Sequence, residues 1–588
     1  MPTHPILRLA KFSKKAMQFR HPVAIASIVA ILALGIGYLA VGKSGAPVLE
    51  QTAEAPMPAL KAPDHSIVRW SDEALAPYLW TWMDEVTLTE EGLQATAAKK
   101  DPLRPFFLAF RLLHIYDRTH DEKVGAAAKR ALDFMLDEYE PAERSPKGYR
   151  WFYGFPYENL PANWWSSMDA LFGPLVLYAG WQQFGIERYR DEAIKSAKRS
   201  LVPPTEGGVL WRSPKGCWLS EYAWASMTQE QEFHVLNGHL YGLQALAMLA
   251  AQTQDPALTE AYSCARDGTI ARRGEFMNAD HSWTLYQTTP PTINPTHYLL
   301  FETAQFRALE LVTGDPAWRK DADVRSQDFQ QQYPLQLSQN ADNSYTVMFS
   351  MVGAPHPYWT DTYPVTVSCS VDGREVSAKS RGHYNQSLPF DDRFFVSLRL
   401  DKTPQQCSVY VHPLPSGRTL AYTQSAFSVE KVLQPENLPL DMEASYNASK
   451  ATEAAGDLRI NPAGGHTEGR IELKLNRPVT SGDTIALIIN SAADHQLGML
   501  LYDKEGHSAT REYNDIKAGK DNIVMLNRLG FNRGDKLTDN LGSLYLRIYT
   551  KATDKAFNVS IKQLNILKDP AQLKAFFEQH KDAYFHQQ

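Results

Sequence analysis

The stretch FHVLNGHLYGLQALAMLAAQT (233–253), followed by PALTEAYSCARDG (256–268), decides the fold of the first half of this chain. The first segment is apolar and the second is more polar, which predicts a buried helix followed by an exposed one. Asp255 and Pro256 lie between them, and proline fits the first turn of a helix while the aspartate precedes it. The stretch therefore predicts a helical hairpin.

The same hairpin pattern occurs on both sides of this stretch. Apolar segments precede more polar ones in the pairs 102–119 with 122–140, 164–185 with 186–201, and 296–314 with 316–332. A repeat of helical hairpins with apolar members packed inside polar ones predicts an α/α toroid over residues 66–335. A stacked solenoid is the alternative arrangement.

The loops between the hairpins are long and aromatic. They cover residues 141–163, 203–232 and 278–295, whereas helix connections usually span about 2–8 residues. In a toroid these loops meet at one end, around a cleft. Tryptophan and tyrosine rings with amide and carboxylate neighbours suit sugar rings, although the same aromatic residues could simply pack the loops onto the helices.

From residue 336 the apolar pattern changes to a period of two, which indicates β-strands. We predict two β-sandwiches, over 336–435 and 436–570, and a closing helical segment over 571–588. The second sandwich resembles a carbohydrate-binding jelly roll in pattern. A bracing role for it is equally compatible with the pattern.

The N-terminus predicts a membrane anchor. Residues 22–42 carry no charge and form a segment long enough to cross a bilayer. Residues 1–21, which precede it, are basic. By the positive-inside rule we expect a cytosolic N-terminus and a single-pass membrane protein with its bulk in a periplasm or lumen. Residues 43–65 then form a linker.

Composition excludes several classes of protein. The chain has 588 residues and a formal net charge of −6, which argues against a nucleic-acid binder with a basic face. No nucleotide-binding, zinc-protease or lipase motif is present in the sequence. We expect neither a metal nor another cofactor. Cys369 and Cys407 lie in strand-like segments and could form a disulfide, while Cys217 and Cys264 are expected to be unpaired.

Four segments of the helical region resemble the C-terminal catalytic domain of the D-glucuronyl C5-epimerases. They are WWSSMDALFGPLVLYAGWQQFG (164–185), CWLSEYAW (217–224), HVLNGHLYGLQAL (234–246) and THYLLFETAQFRAL (296–309). Together they cover about residues 160–320. The resemblance implies an enzyme that inverts C5 of glucuronic acid in a polysaccharide.

The resemblance also implies catalytic residues, which are Glu221, Tyr222, Tyr286 and Tyr298. Two family motifs differ, because Gln287, Thr288 and Thr289 stand where the family has an arginine and a histidine after the tyrosine matched by Tyr286, and Leu299 and Glu302 replace two histidines after Tyr298. Candidate substrate-binding residues lie in or beside the aromatic loops or match the family; they are Arg150, Trp164, Trp165, Arg212, Lys215, His234, Asn237 and Gln305.

The chemistry of C5 inversion gives these residues their expected roles. A proton next to the uronate carboxylate must be removed and returned on the opposite face, so two acid–base groups must flank the ring. We expect Glu221 and Tyr222 on one side and Tyr298 on the other, assisted by Tyr286. A tyrosine base needs a neighbouring cation, and so does the substrate carboxylate, for which Arg150, Arg212, Lys215 and His234 are the candidates.

The leading hypothesis is a membrane-anchored uronyl C5-epimerase acting on an extracytoplasmic polysaccharide. A polysaccharide lyase shares the same carbanion and is the first alternative. A glycoside hydrolase and a non-catalytic carbohydrate-binding protein of a polysaccharide export system are two others. The expected partners are an acidic polysaccharide, the membrane and polysaccharide synthesis or export proteins, and no nucleic acid.

Overall fold

The computed structural model describes most of the chain beyond residue 55. The described residues are 56–79, 90–157, 160–277, 283–294, 296–351, 364–380, 395–412, 419–431, 434–435, 437–446, 448–451, 456–460, 468–475, 479, 483–503, 512–527, 544–551 and 556–585. All of them belong to one compact unit.

Helices dominate the first half of the described chain. They are α1 Asp72–Leu79, α2 Glu90–Ala97, α3 Leu103–Thr119, α4 Glu122–Asp137, α5 Ser167–Phe184, α6 Glu187–Arg199, α7 Leu236–Thr253, α8 Pro256–Arg272, α9 Thr296–Thr313 and α10 Pro316–Gln332. Four hairpins pair α3 with α4, α5 with α6, α7 with α8, and α9 with α10. The apolar helices also contact one another in the order α3, α5, α7, α9 and α1.

The hairpin turns form as the Asp-Pro pattern predicts. Asp255 accepts a hydrogen bond from the N–H of Ala257 at 2.9 Å, and Asp315 accepts one from Ala317 at 3.0 Å. In both cases proline follows at the first helical position. Each aspartate thus satisfies an N–H that the helix leaves unpaired.

The predicted α/α toroid is not confirmed. The short helices α1 and α2 precede the four hairpins, and residues 80–89 between them lie outside the described residues. The described part of the chain therefore establishes packed helical hairpins, but not the closed ring.

The prediction of a single-pass membrane protein requires a correction. None of the helices in the described ranges is long and apolar enough to cross a membrane. Residues 22–42, on which the prediction depended, lie outside those ranges. The apolar helices that are described bury their side chains against one another. The predicted localisation, with the bulk of the chain across a membrane, is therefore not supported.

Each long loop between the hairpins contains a small β-hairpin. The strands are β1 Ala142–Ser145 with β2 Gly148–Trp151, β3 Leu210–Ser213 with β4 Gly216–Leu219, and β5 Leu285–Thr288 with β6 Pro291–Ile293. β2 contacts α6, and β4 contacts α8. The hairpins therefore fasten the loops to the outer helices.

Strands make up most of the second half. The first group is β7 Gln336–Gln339, β8 Tyr345–Ser350, β9 Val365–Val371, β10 Arg374–Lys379, β11 Phe395–Leu400, β12 Gln406–Val411 and β13 Thr419–Gln424. They form two sheets, in the orders β10-β9-β12-β13 and β11-β8-β7. Their inward side chains join the core of the helices in one continuous apolar cluster.

The second group of strands forms two larger sheets. The strands are β14 Asp441–Tyr446, β15 Ala448–Lys450, β16 Asp457–Ile460, β17 Glu468–Leu475, β18 Thr484–Ser491, β19 His495–Asp503, β20 Glu512–Ile516, β21 Asp521–Asn527, β22 Leu544–Lys551, β23 Phe557–Leu567 and β24 Tyr584–Phe585. Their orders are β14-β17-β22-β19-β20 and β15-β16-β23-β18-β21-β24. Both sheets contribute to one separate core. The helix α11 Pro570–Gln579 packs on β8. The domain boundaries at 335/336 and 435/436 stay predictions.

The cysteines form two disulfides. Cys369 bonds to Cys407 on the neighbouring strand, as the strand pattern allowed. Cys217 bonds to Cys264, so the expectation that these two residues are unpaired was wrong. A separation of 47 residues in the sequence does not predict that the two cysteines are close in space, because only the fold brings β4 against α8.

Candidate active site

The loops that precede α5, α7 and α9 are joined by backbone hydrogen bonds. Trp165 and Ala223 exchange hydrogen bonds across the first two loops. Val235 bridges Gln287, and the N–H of Thr289 donates to the carbonyl of Phe233 at 3.2 Å. The starts of the three apolar helices are thereby brought together with the loops that carry the predicted catalytic residues.

Glu221 lies at the centre of this arrangement. Its side chain is buried, and its Oε2 accepts a hydrogen bond from the backbone N–H of Gly238, in the first turn of α7, at 3.1 Å. A Cβ at position 238 would lie 2.2 Å from Oε2, so only glycine allows this approach. The carboxyl group is therefore held against the positive end of a helix.

Three tyrosines surround this carboxyl group. The hydroxyl of Tyr286 donates to Oε1 of Glu221 at 3.3 Å. The hydroxyls of Tyr222 and Tyr286 lie 3.1 Å apart, and the rings of Tyr286 and Tyr298 lie 5.1 Å apart. The structure thus brings all four predicted catalytic residues together. Each tyrosine is only half-buried, so the cluster borders solvent.

Burial sets the proton affinities in the cluster. It raises the pKa of Glu221 to about 7, and the hydrogen bonds from Tyr222, Tyr286 and Gly238 limit the rise. Burial and the neighbouring charge of Glu221 raise the pKa of Tyr222 and of Tyr286 well above the usual value for tyrosine. Near neutral pH the carboxyl can therefore gain or lose a proton, whereas the phenols of Tyr222 and Tyr286 keep theirs.

Glu232 is a second buried carboxyl near Glu221. It accepts hydrogen bonds from the hydroxyl of Ser220, from Trp211 Nε1 at 3.0 Å and from the N–H of His234 at 3.1 Å. Burial raises its pKa to about 7 as well. Glu232 therefore joins the segment that carries Glu221 to the segment that leads into α7.

The predicted cations have other partners. Arg150 pairs with Glu143 and donates to the carbonyl of Gly207 at 2.9 Å, with its guanidinium 4.5 Å from the ring centroid of Trp165. The ring of His234 lies 5.3 Å from that of Trp218. Burial lowers the pKa of His234 to about 4, so this side chain is neutral at pH 7.

Arg212 and Lys215 lie in an exposed turn on the outer helices. Arg212 pairs with Glu260 at 3.1 Å, and Lys215 pairs with Glu275 at 3.1 Å. The sequence RSPKG occurs twice, at 144–148 and 212–216, and forms the same turn in both places, with serine bonding the glycine carbonyl. The repeat identifies Arg212 and Lys215 as parts of a structural turn. Sequence reasoning missed this repeat, although it was a usable signal for the two β-hairpins.

The other predicted binding residues divide into two groups. Trp164 packs against Tyr222, with ring centroids 5.4 Å apart. Trp165, by contrast, is buried and donates from Nε1 to Gly208 at 2.8 Å. Asn237 and Gln305 are buried between α7 and α9, where Gln305 donates to the carbonyl of Asn237 at 2.8 Å. Trp164 therefore borders the cluster, and the last three residues position the helices and loops around it.

Glu302, which stands in place of a family histidine, belongs to a buried ion pair between two helices. Its carboxyl pairs with Arg325 at 3.2 Å, and both side chains are fully buried between α9 and α10. Burial raises the pKa of Glu302 to about 7, with Arg325 opposing the rise. Glu302 therefore links α9 to α10 in this chain. Two further residues that sequence reasoning missed are Gly238 and Tyr157, whose ring stacks on Tyr222 at 5.6 Å.

A buried carboxyl group beside phenols, on loops rich in aromatic residues, has the chemistry that acid–base catalysis needs. Residues 144–327 match the family model described as D-glucuronyl C5-epimerase C-terminus. The resemblance to this family is therefore confirmed, and the matched segment contains all four residues of the cluster. Its presence supports a carbohydrate epimerase.

Comparison with solved structures shows only distant similarity. An unsaturated glucuronyl hydrolase from Streptococcus agalactiae is 11% identical, with 48% of this chain and 76% of that chain covered and a TM-score of 0.29. A family 76 glycoside hydrolase from a bovine Bacteroides thetaiotaomicron strain is 14% identical, with 39% and 47% covered and a TM-score of 0.28.

An agarase is 9% identical, with 23% of this chain covered and a TM-score of 0.19. This chain spans 25% of the length of that agarase. No curated protein matches the chain.

Proposed function

We propose that this protein is a uronyl C5-epimerase that acts on a polysaccharide containing uronic acid, by removing and returning the proton at C5. The observation that carries the proposal is the contact of the buried Glu221 carboxyl with Tyr286, in one cluster with Tyr222 and Tyr298. The family match over the same segment supports it.

The raised pKa of the buried Glu221 carboxyl supports its role as the base. Glu221, with a pKa of about 7, is ionised in a large fraction of molecules at neutral pH and is suited to accept the C5 proton. The electron pair left at C5 delocalises into the uronate carboxylate. A phenol on the opposite face, which we assign to Tyr298, then donates its proton to C5 and later recovers one from solvent.

This assignment differs from a mechanism with a tyrosinate base. A tyrosinate needs a nearby cation, and Arg150, Arg212 and Lys215 are paired with carboxylates elsewhere. With glutamate as the base and phenols as donors, that cation is not required. Tyr286 donates to Glu221, and its hydroxyl lies 3.1 Å from that of Tyr222, so this row of hydroxyl groups can carry the proton that Glu221 accepts away to solvent.

The charge of the substrate carboxylate must still be stabilised in the transition state. The first turn of α7 already supplies the Gly238 N–H to Glu221, and we propose that the positive end of this helix also stabilises the substrate carboxylate. Phenol donors add to this positive environment. We therefore propose an acidic polysaccharide as the substrate, bound by helix ends and hydroxyl groups in preference to a cluster of arginines.

Solvent exchange tests the proposal. The full chain is incubated in deuterated water with polymers of glucuronic, mannuronic and guluronic acid and with heparan-type precursors, and deuterium at C5 is measured by NMR. We expect incorporation with at least one polymer, its loss in Glu221→Gln, and its retention in Glu230→Gln, an exposed glutamate of the same loop.

Two results would contradict the proposal. The first is an absence of C5 deuterium with every polymer. The second is an unsaturated product absorbing in the ultraviolet, which would show that the carbanion expels the C4 substituent, as in a lyase.

A further inference from the structure

Four half-buried aromatic residues lie beside the catalytic cluster, on the side of Tyr222. Phe155 and Tyr157 belong to the loop before α5, and Trp224 and Phe233 to the loop before α7. We refer to these four residues as the aromatic flank. Each one exposes part of its ring to solvent, although it has other aromatic neighbours.

The aromatic flank is continuous with Tyr222. The ring of Tyr157 is stacked on that of Tyr222, with centroids 5.6 Å apart and planes 15° apart. Phe233 meets Tyr222 edge-on at 6.0 Å, and Trp224 lies 6.4 Å from Phe233. A molecule that reaches the cluster at Tyr222 can therefore also contact these rings.

A rigid base supports the aromatic flank. Tyr153 and Trp164 are buried and stacked, with ring centroids 3.8 Å apart and planes 3° apart. Phe155 lies edge-on to Trp164 at 6.1 Å. These residues form an apolar cluster of their own, separate from the core of the helices. Phe155, Tyr157 and Trp224 pack against this cluster, and Trp224 also packs against the core of the helices.

The chemistry of these rings favours one kind of ligand. Aromatic faces that are partly open to solvent bind surfaces that are apolar on one side and polar at the rim. A pyranose ring has this character, since its axial C–H groups form an apolar face and its hydroxyl groups lie around the edge. Because Tyr157 and Phe233 each contact Tyr222, and Trp224 contacts Phe233, the aromatic surface is wider than one tyrosine ring.

We propose that the aromatic flank binds a sugar residue next to the uronate that reacts, so that the enzyme recognises a polymer and not a single sugar. The inference rests on the proposed function for the identity of the reacting residue. Tyr222 then belongs to both sites, because it contacts Tyr286 on one side and Tyr157 on the other.

Binding measured apart from turnover tests this inference. The inactive Glu221→Gln variant is titrated with uronate oligosaccharides of two to eight residues, by calorimetry. Adding Trp224→Ala or Phe233→Ala should weaken binding of the longer oligosaccharides by about 5- to 10-fold, and binding of the disaccharide by much less. Trp224→Phe, which keeps an aromatic face, should restore most of the affinity.

The matched control is Trp181→Ala, a half-buried tryptophan on α5 that pairs with Glu187. It should leave binding at every length unchanged. Equal loss in Trp181→Ala and Trp224→Ala, or no loss in either flank variant, would overturn the inference. A native circular dichroism spectrum and melting temperature for each variant exclude unfolding as the cause.

The two proposals fail in different ways. If the unmodified chain places no deuterium at C5 but the flank variants lose affinity for long oligosaccharides, the sugar-binding flank stands and the epimerase proposal is wrong. If deuterium is incorporated and the flank variants bind oligosaccharides of every length normally, the epimerase proposal stands and the sugar-binding flank is wrong.

Discussion

At the scale of the residue, the proposed function depends on a carboxyl group whose proton affinity is set by burial. Glu221 and Glu232 both have a pKa of about 7, although only Glu221 contacts the phenols. The charge of Glu232 adds to the rise at Glu221. The pH range in which the proposed site can act therefore depends on Glu221, on Glu232 and on the tyrosines next to Glu221.

The pH dependence of the reaction should follow Glu221. Because the ionised form accepts the C5 proton and the folded protein raises its pKa, kcat/KM should fall about tenfold per pH unit below pH 7. Glu221→Gln should lower kcat about 100- to 10,000-fold. C5 exchange measured from pH 5 to 9 checks both. A rate that does not change between pH 5 and 7 would exclude Glu221 as the base.

Glu232 should shift this profile without entering the reaction. Removing its charge in Glu232→Gln takes away a repulsion that raises the pKa of Glu221, so the acidic limb should move to lower pH. The groups that still face Glu221 are Tyr222, Tyr286 and the Gly238 N–H. The shift is read from kcat/KM against pH, with Glu230→Gln as the unshifted control. An unmoved limb in a folded variant would show that Glu232 only joins the loops.

At the scale of the element, β4 is clamped against α8. A Cβ at Gly216 would lie 2.3 Å from the nitrogen of Gly268, and a Cβ at Gly268 would lie 2.0 Å from the carbonyl oxygen of Cys217. The disulfide from Cys217 to Cys264 closes the same contact. One residue separates β4 from Glu221, so this clamp fixes the backbone position from which the Glu221 side chain extends.

Opening the clamp should reduce both stability and activity. Cys217→Ser with Cys264→Ser should lower the free energy of unfolding by about 4 kcal/mol, as expected for a loop of this length, and should also lower kcat. The control is Cys369→Ser with Cys407→Ser, which removes the disulfide between β9 and β12. This second pair should lose stability with kcat unchanged. Chemical denaturation and C5 exchange measure the two effects, and an equal loss of kcat in both pairs would disprove a positioning role.

Sequence reasoning predicted the elements whose pattern is long and regular. The hairpins α7–α8 and α9–α10 follow from apolar periodicity and the Asp-Pro turns, because both signals are local. The strands β1 to β6 have three or four residues each and give no periodicity. The pairing of Cys217 with Cys264 and the ion pairs of Arg212 and Lys215 depend on distances that only the fold creates.

The candidate site was predictable in part for the same reason. The resemblance to a family indicated the adjacent residues Glu221 and Tyr222 together with Tyr286 and Tyr298, which lie far from them along the chain but close to them in the structure. The raised pKa of Glu221 could not be predicted, because burial depends on the packing of whole loops. Gly238 could not be assigned a role until its N–H was seen to meet the carboxyl group.

At the scale of the whole molecule, the helices and the first group of strands share one core. The apolar cluster runs from α3 to β13 without interruption. The hydroxyl of Tyr422 on β13 donates to the carbonyl of Tyr333 at 2.8 Å, and the hydroxyl of Tyr333 lies 3.1 Å from that of Thr296. Thr296 begins the helix that carries Tyr298. The strands therefore support one side of the candidate site.

A chain cut at the predicted boundary should not fold. The segment 66–335 would expose the face of the core that Tyr422 and its neighbours cover, so we expect it to be insoluble or to melt without a cooperative transition. The segment 66–435 keeps this core and should give a cooperative transition. Soluble yield and thermal melting followed by circular dichroism compare the two. Equal cooperative melting of both segments would show that the helices are an independent domain.

The missing side chain at position 238 has a consequence for recognising other chains that work in the same way. A glutamate in this position requires a glycine 17 positions later, because any larger residue there would occupy the space of the carboxylate. A chain that keeps the glutamate but replaces the glycine must bind its carboxyl group differently or must have abandoned the reaction. Distant sequences that keep both residues can thus be separated from those that have lost the glycine before any of the proteins is purified.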